Sequence, residues 1–306
     1  MLLFWVLFNL FILCLLALDL GVFNRRAHAA GLREALAWSG AWVVLAAAFA
    51  ALIFFWHGRA EALQFVTGYV IELTLSIDNL FLFLVIFQYF KVPAEHQRRV
   101  LFWGVLGALV MRGIFIAAGV GLMLRFAWIT YVFGALLIYS GLKLLRQGEH
   151  PGEQKLDPAR NPVLRLFRRI LPVTEDYEGG KFFTRRQALY ATPLFVVLLV
   201  IETSDILVAV DSVPAVLAIT LNAFIVYTSN VFAILGLRSL YFALAQIMKR
   251  FQYLHYGLSI VLILIGLKMI GSHYVTVPTE WTLGVVLLVL AVSMVASLAA
   301  EPHKLS

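Results

Sequence analysis

Glu202, Asp205 and Asp211 fall within one run, IETSDILVAVDSVPAV (201–216), whose neighbours on both sides are apolar. A second apolar run, LSIDNLFLFL (75–84), carries Asp78 and follows Glu72. An ionised side chain at the bilayer centre costs on the order of 3 kcal/mol even on lenient insertion scales. Five acids in two such runs imply a polar hollow with something cationic in it. Structural ion pairs inside a helix bundle are the plainer alternative; a cation site is the reading preferred here. The neighbouring polar residues Ser76, Asn79, Ser212 and Asn230 offer oxygens, and none of the set is a thiolate. An all-oxygen set favours Mn, Mg or Ca over Zn or Cu. A dication holds two or three carboxylates ionised in low dielectric, and when it leaves their repulsion draws protons in. These residue types therefore suit exchange of a divalent metal ion for protons.

Arg112 and Arg238 also stand well inside apolar runs. Either each is a permanent counter-ion bracing the acids, or each replaces the cation while the site is empty. His57 and His255 fall at the ends of runs and read as interfacial side chains. Lys143 and Lys268 read as snorkelling to the interface. Asp19, close to Arg25, reads as a helix-end charge.

Helices must position these groups, because a spanning segment has to satisfy its own backbone hydrogen bonds. The 306 residues are 62% apolar by AVILMFWYC and 13% charged, with mean hydropathy +0.91. Soluble domains sit near half apolar and a quarter charged, so the chain reads as a polytopic membrane protein. Its single cysteine, Cys14, excludes a disulfide framework or a thiolate metal site. The net charge of +7 is explained by basic loops and is no sign of nucleic acid. Residues 1–18 lack a basic start and a small-residue cleavage site, and so read as a retained span.

Runs of about 20 apolar residues cross the hydrocarbon layer. Nine are expected, at 2–18, 36–56, 63–90, 100–123, 126–145, 190–217, 222–247, 254–272 and 281–299. Odd-numbered connections are basic, the fifth (146–189) carrying nine Lys or Arg, and even-numbered ones are nearly bare. The positive-inside rule then puts the N-terminus outside and the C-terminus in the cytoplasm of a multi-pass cell-membrane protein. The fifth connection reads as a solvated linker, with RLFRRI (165–170) as a possible interfacial helix.

The halves flanking that linker match. LSIDNLFLFL aligns with VAVDSVPAVL (208–217), pairing Asp78 with Asp211, and each aspartate follows another acid by six residues (Glu72, Asp205). VLGALVMRGIFIA (105–117) aligns with VFAILGLRSLYFA (231–243), pairing Arg112 with Arg238. Tyr131 pairs with Tyr256, and GLK at 141–143 with GLK at 266–268. Spans 3–5 and 6–8 would then be inverted repeats with a site where they meet near the midplane. The expected organisation is two peripheral spans (1–62), repeat 1 (63–145), a basic loop (146–189), repeat 2 (190–272) and a final span with a short tail (273–306). Asp78 and Asp211 lie about 120° round a straight helix from the acids six residues earlier. If all five acids share one site, both helices should kink or unwind near Asp78-Asn79 and near Pro214.

ELTLSIDN (72–79), ETSDILVAVDSVPA (202–215), TSNVFAILGLR (228–238), GLK (266–268) and DLGVFNRRAH (19–28) resemble the TerC/Alx membrane proteins. The resemblance covers nearly the whole chain. It implies membership of the lysine-exporter-like transporter superfamily, with Glu72, Asp78, Glu202, Asp205 and Asp211 as the intramembrane acids and Asn79, Ser212 and Asn230 beside them. It also implies Mn2+ as cargo, export as the direction, and links to alkaline pH and tellurium-ion resistance. The expectation is an all-α secondary transporter rather than an enzyme, with metal ion, protons and lipid as partners. Two other classes remain: an intramembrane aspartyl enzyme built on an Asp78/Asp211 dyad, and an assembly factor docking through the basic loop.

Overall fold

A computed structural model describes residues 2–23, 32–146, 172–174, 176–185, 189–247 and 253–299. The side chains of Asp19, Asp78 and Arg238, and the RLFRRI segment, lie outside the described set. Among the described residues, nine helices follow the nine expected spans. They are α1 (Leu2–Phe23), α2 (Leu32–His57), α3 (Arg59–Tyr89), α4 (Ala94–Arg125), α5 (Ile129–Arg146), α6 (Pro193–Leu217), α7 (Ala223–Ile247), α8 (Leu254–Gly271) and α9 (Thr279–Ala299). The helices from α2 to α9 are each long and apolar enough to cross a membrane. Large apolar side chains such as Phe55, Leu207 and Trp281 lie on the outside, as lipid contact requires. At 31 and 32 residues α3 and α4 are about 46–48 Å long at 1.5 Å per residue, longer than the hydrocarbon layer.

α3, α4, α6 and α7 form the centre, α3 packing chiefly on α7 and α4 on α6. α5 and α8 make the closest pair of all and flank it. α2 lies on α7 and α3, and α9 on α8 and α3. α1 sets Phe8 against Phe49 of α2 and Phe224 of α7, and its Asn9 accepts a 2.8 Å hydrogen bond from the Tyr227 hydroxyl.

The α5–α8 seam depends on glycine. Gly134 lies against Gly266, where a side-chain carbon would come within 3.0 Å of the facing carbonyl oxygen; Gly141 lies against Ser259, where the same distance is 2.8 Å. As α5 advances from 134 to 141, its partner retreats from 266 to 259, so the two helices run antiparallel. Each of Gly134/Ser259 and Gly141/Gly266 is a pair of positions 125 residues apart, matching the internal repeat. Exchanging the halves therefore turns one contact into the other. Ile138 packs at Gly266 and Ile263 at Gly141, and these two follow the same rule.

Two expectations are corrected here. Neither acid-bearing helix unwinds: helix is continuous through Asp78-Asn79 in α3, and through Asp211 and Pro214 in α6. The second correction concerns the fifth connection, part of which folds. β1 (Phe183–Arg185) and β2 (Leu189–Ala191) form an antiparallel hairpin leading into α6, where 190–192 had been expected to be helical. The stretch before it docks on the ends of α3 and α4. The Tyr177 hydroxyl donates to the Phe90 carbonyl at 2.7 Å, and the Arg99 guanidinium lies 5.2 Å from the Phe182 ring. Gly180 turns with φ 72°, which glycine adopts freely, and its bare Cα lets the His96 ring close in.

Candidate functional site

Glu72 and Asp205 stand near the middles of α3 and α6, and repeat alignment makes them equivalent. The packing brings both onto one guanidinium. Arg112, deep in α4, is 1% exposed. Its Nη1 donates toward Glu72 Oε1, toward Ser212 Oγ at 3.0 Å and toward Asn230 Oδ1 at 2.9 Å. Its Nη2 lies 3.6 Å from Asp205 Oδ1. Ser76, one turn after Glu72, donates to Glu72 Oε1 at 3.2 Å. Oxygens from α3, α6 and α7 thus surround a cation carried by α4. Single helices cannot supply such a set, because side chains three or four residues apart leave one face only.

The charges of Glu72, Arg112 and Asp205 are all buried, and so are the neutral Ser212 and Asn230 beside them. Breaking a buried ion pair by removing one partner typically costs about 3–5 kcal/mol, because the other charge is stranded. Several atoms in the cluster make no hydrogen bond to protein: Glu72 Oε2, Asp205 Oδ2, Asn230 Nδ2, and Arg112 Nε and Nη2. Asn79 Nδ2 is in the same condition. Buried polar atoms are otherwise almost always paired, so this mixture of spare donors and acceptors is suited to small polar or ionic ligands.

Two of the other sequence-selected acids, Glu202 and Asp211, contact other neighbours. Asp211 Oδ1 accepts a 2.6 Å hydrogen bond from Ser140 of α5. The unbroken α6 explains this: six residues of regular helix turn Asp211 about 120° away from Asp205, toward a different neighbour. Glu202 packs over Gly107 of α4, where any side chain would collide with its carboxylate. Among the described residues no three Asp, Glu, His or Cys side chains converge on one point. His57 is exposed at the end of α2, whereas His255, expected at an interface, is buried in the first turn of α8 with its ring 4.0 Å from that of Tyr256. Sequence reasoning passed over Ser140 and Gly107. Neither lies on an acid-bearing apolar run, and only the packing shows what they face.

Residues 57–305 match the model of the integral membrane protein TerC family. An uncharacterized membrane protein of Myxococcus xanthus is 48% identical over 300 residues, covering 98% of this chain and 93% of its own. An Escherichia coli (strain K12) protein, provisionally named membrane-bound redox modulator Alx, is 44% identical over 304 residues, covering 96% of this chain and 93% of its own. A Rickettsia bellii membrane protein is 38% identical over 294 residues, covering 96% of each chain. No solved structure matches. A family match over most of the chain, on a fold of membrane-length helices whose acids meet inside the bundle, has one meaning: the chain belongs to the TerC family of integral membrane proteins.

Proposed function

We propose that the protein is a secondary transporter that exports divalent metal cations, foremost Mn2+, in exchange for protons. One observation carries this reading: Glu72 and Asp205, one from each half of the chain, share a buried oxygen-lined site with Ser212 and Asn230. Two carboxylates, a hydroxyl and an amide oxygen form a hard-cation ligand set. Protons would neutralise the carboxylates when the metal departs, because two close carboxylates disfavour a second charge. Asp78 belongs to this proposed set, whereas Glu202, packed over Gly107, and Asp211, bonded to Ser140, suit adjoining stations along the path.

The antiparallel, exchange-symmetric α5–α8 seam supports the inverted repeat that alternating access requires. Basic odd-numbered connections support an outside N-terminus and a cytoplasmic C-terminus. A redox role, as in the E. coli relative's name, connects through control of a redox-active metal, since one cysteine cannot form an intrachain disulfide.

The test is metal flux by the purified protein in liposomes, comparing Mn2+, Mg2+, Ca2+ and Zn2+ with and without a pH gradient. Mn2+ flux coupled to proton counterflow, lost in Asp205→Asn and Glu72→Gln, is expected. Flux of no divalent ion refutes the proposal, and flux indifferent to the pH gradient refutes the proton exchange.

A further inference from the structure

We infer that Arg112 is a tethered competitor of the transported cation: its Nη1 fills the cation position in the empty site and must leave before a metal ion can bind. The inference rests on the proposed metal site and deepens it.

Arginine used as a permanent brace for a carboxylate normally presents its planar fork, two parallel N–H groups to two oxygens. Arg112 does not. Oxygens of Glu72, Ser212 and Asn230, from three different helices, gather on the single atom Nη1. That nitrogen has only two protons for three acceptors, while Nε and Nη2 make no hydrogen bonds. Asp205 approaches Nη2 at 3.6 Å, a charge contact outside hydrogen-bond reach. The arrangement resembles ion coordination: oxygens are placed around a point of positive charge, with little regard to the donor's directions.

The consequence is an intramolecular equilibrium. A ligand whose competent state is only partly populated binds more weakly by that fraction. If the guanidinium fills the site nine times in ten, removing it should tighten metal binding about tenfold. It should also leave uncompensated, whenever the site empties, the carboxylate charge that Arg112 balances beyond the protons taken up, hindering return of the unloaded carrier.

Full-length protein in nanodiscs and in liposomes tests this, with Mn2+ as the probe. Arg112→Gln is expected to bind Mn2+ about tenfold more tightly than wild type. It should keep Mn2+-for-Mn2+ exchange across the membrane and lose net transport. Arg112→Lys, which restores a point charge but no fork, should recover net transport. Arg112→Ala provides a second neutral variant. Equal or weaker Mn2+ binding in the neutral variants overturns the inference. So does a parallel loss of exchange and net transport, or a lysine variant that restores nothing. If neither neutral variant is monodisperse, the guanidinium is a structural brace and the inference is likewise wrong. Failure of the metal site itself looks different: wild type would bind no Mn2+, and Glu72→Gln and Asp205→Asn would change nothing.

Discussion

Gly266→Ala is expected to destabilise the protein although it adds one methyl group to a helix. A β-carbon at 266 would stand 2.7 Å from the Gly134 carbonyl oxygen and 2.8 Å from the Ile138 side chain. A carbon normally approaches a carbonyl oxygen to about 3.3 Å. α5 and α8 must therefore part by roughly 0.6 Å, since a backbone oxygen cannot rotate away as a side chain does. Overpacking of this kind costs about 1–3 kcal/mol, whereas replacing glycine by alanine within a helix gains about 1 kcal/mol. The net expectation runs from neutral to a loss of about 2 kcal/mol, set by those two terms. Gly141→Ala, 2.8 Å from the Ser259 carbonyl, should behave alike because it is the same contact with the halves exchanged. Gly121→Ala in α4 meets nothing within 4 Å and should be neutral or stabilising. Thermal unfolding of the three variants in detergent, followed by the loss of the monodisperse gel-filtration peak, ranks them. If Gly266→Ala and Gly141→Ala survive heating as well as Gly121→Ala, the close seam is refuted.

The docked segment before the hairpin should loosen in alkali. Burial holds the Tyr177 phenol above its ordinary value of 10.0, so its hydrogen bond to Phe90 stabilises the docked form below that pH and is lost as pH rises past it. Limited proteolysis of residues 172–185 should accelerate above about pH 10 in wild type. Tyr177→Phe should be cleaved faster at neutral pH, having lost about 1 kcal/mol, and show no such alkaline step. Gly107→Val should displace the Glu202 carboxylate and lower Mn2+ flux at least as far as Glu202→Gln does, measured in the same liposomes. Ser140→Ala removes one hydrogen-bond partner of Asp211 and none of the oxygens on Arg112, so Mn2+ binding at equilibrium should stay within about twofold of wild type, a change under 0.5 kcal/mol.

Membrane class and the described membrane-length helices were legible in the chain because lipid imposes a simple rule: about 20 apolar residues per crossing, each satisfying its own backbone. The alignment of the two halves pairs Gly141 with Gly266 and Glu72 with Asp205, at 125 and 133 residues apart, because such matches form a pattern in one dimension. Acids in apolar runs announced a buried polar site by their energetic cost alone. Which acids share it was decided by packing. With α6 helical throughout, residues six apart point about 120° from each other, so Asp205 meets Arg112 while Asp211 meets Ser140. Periodicity along a helix determines which residues point together; it carries no information on which helix stands opposite. That choice was made by shape, where glycines at 134, 141 and 266 let α5 and α8 close and where α4 inserts one guanidinium among oxygens of three other helices.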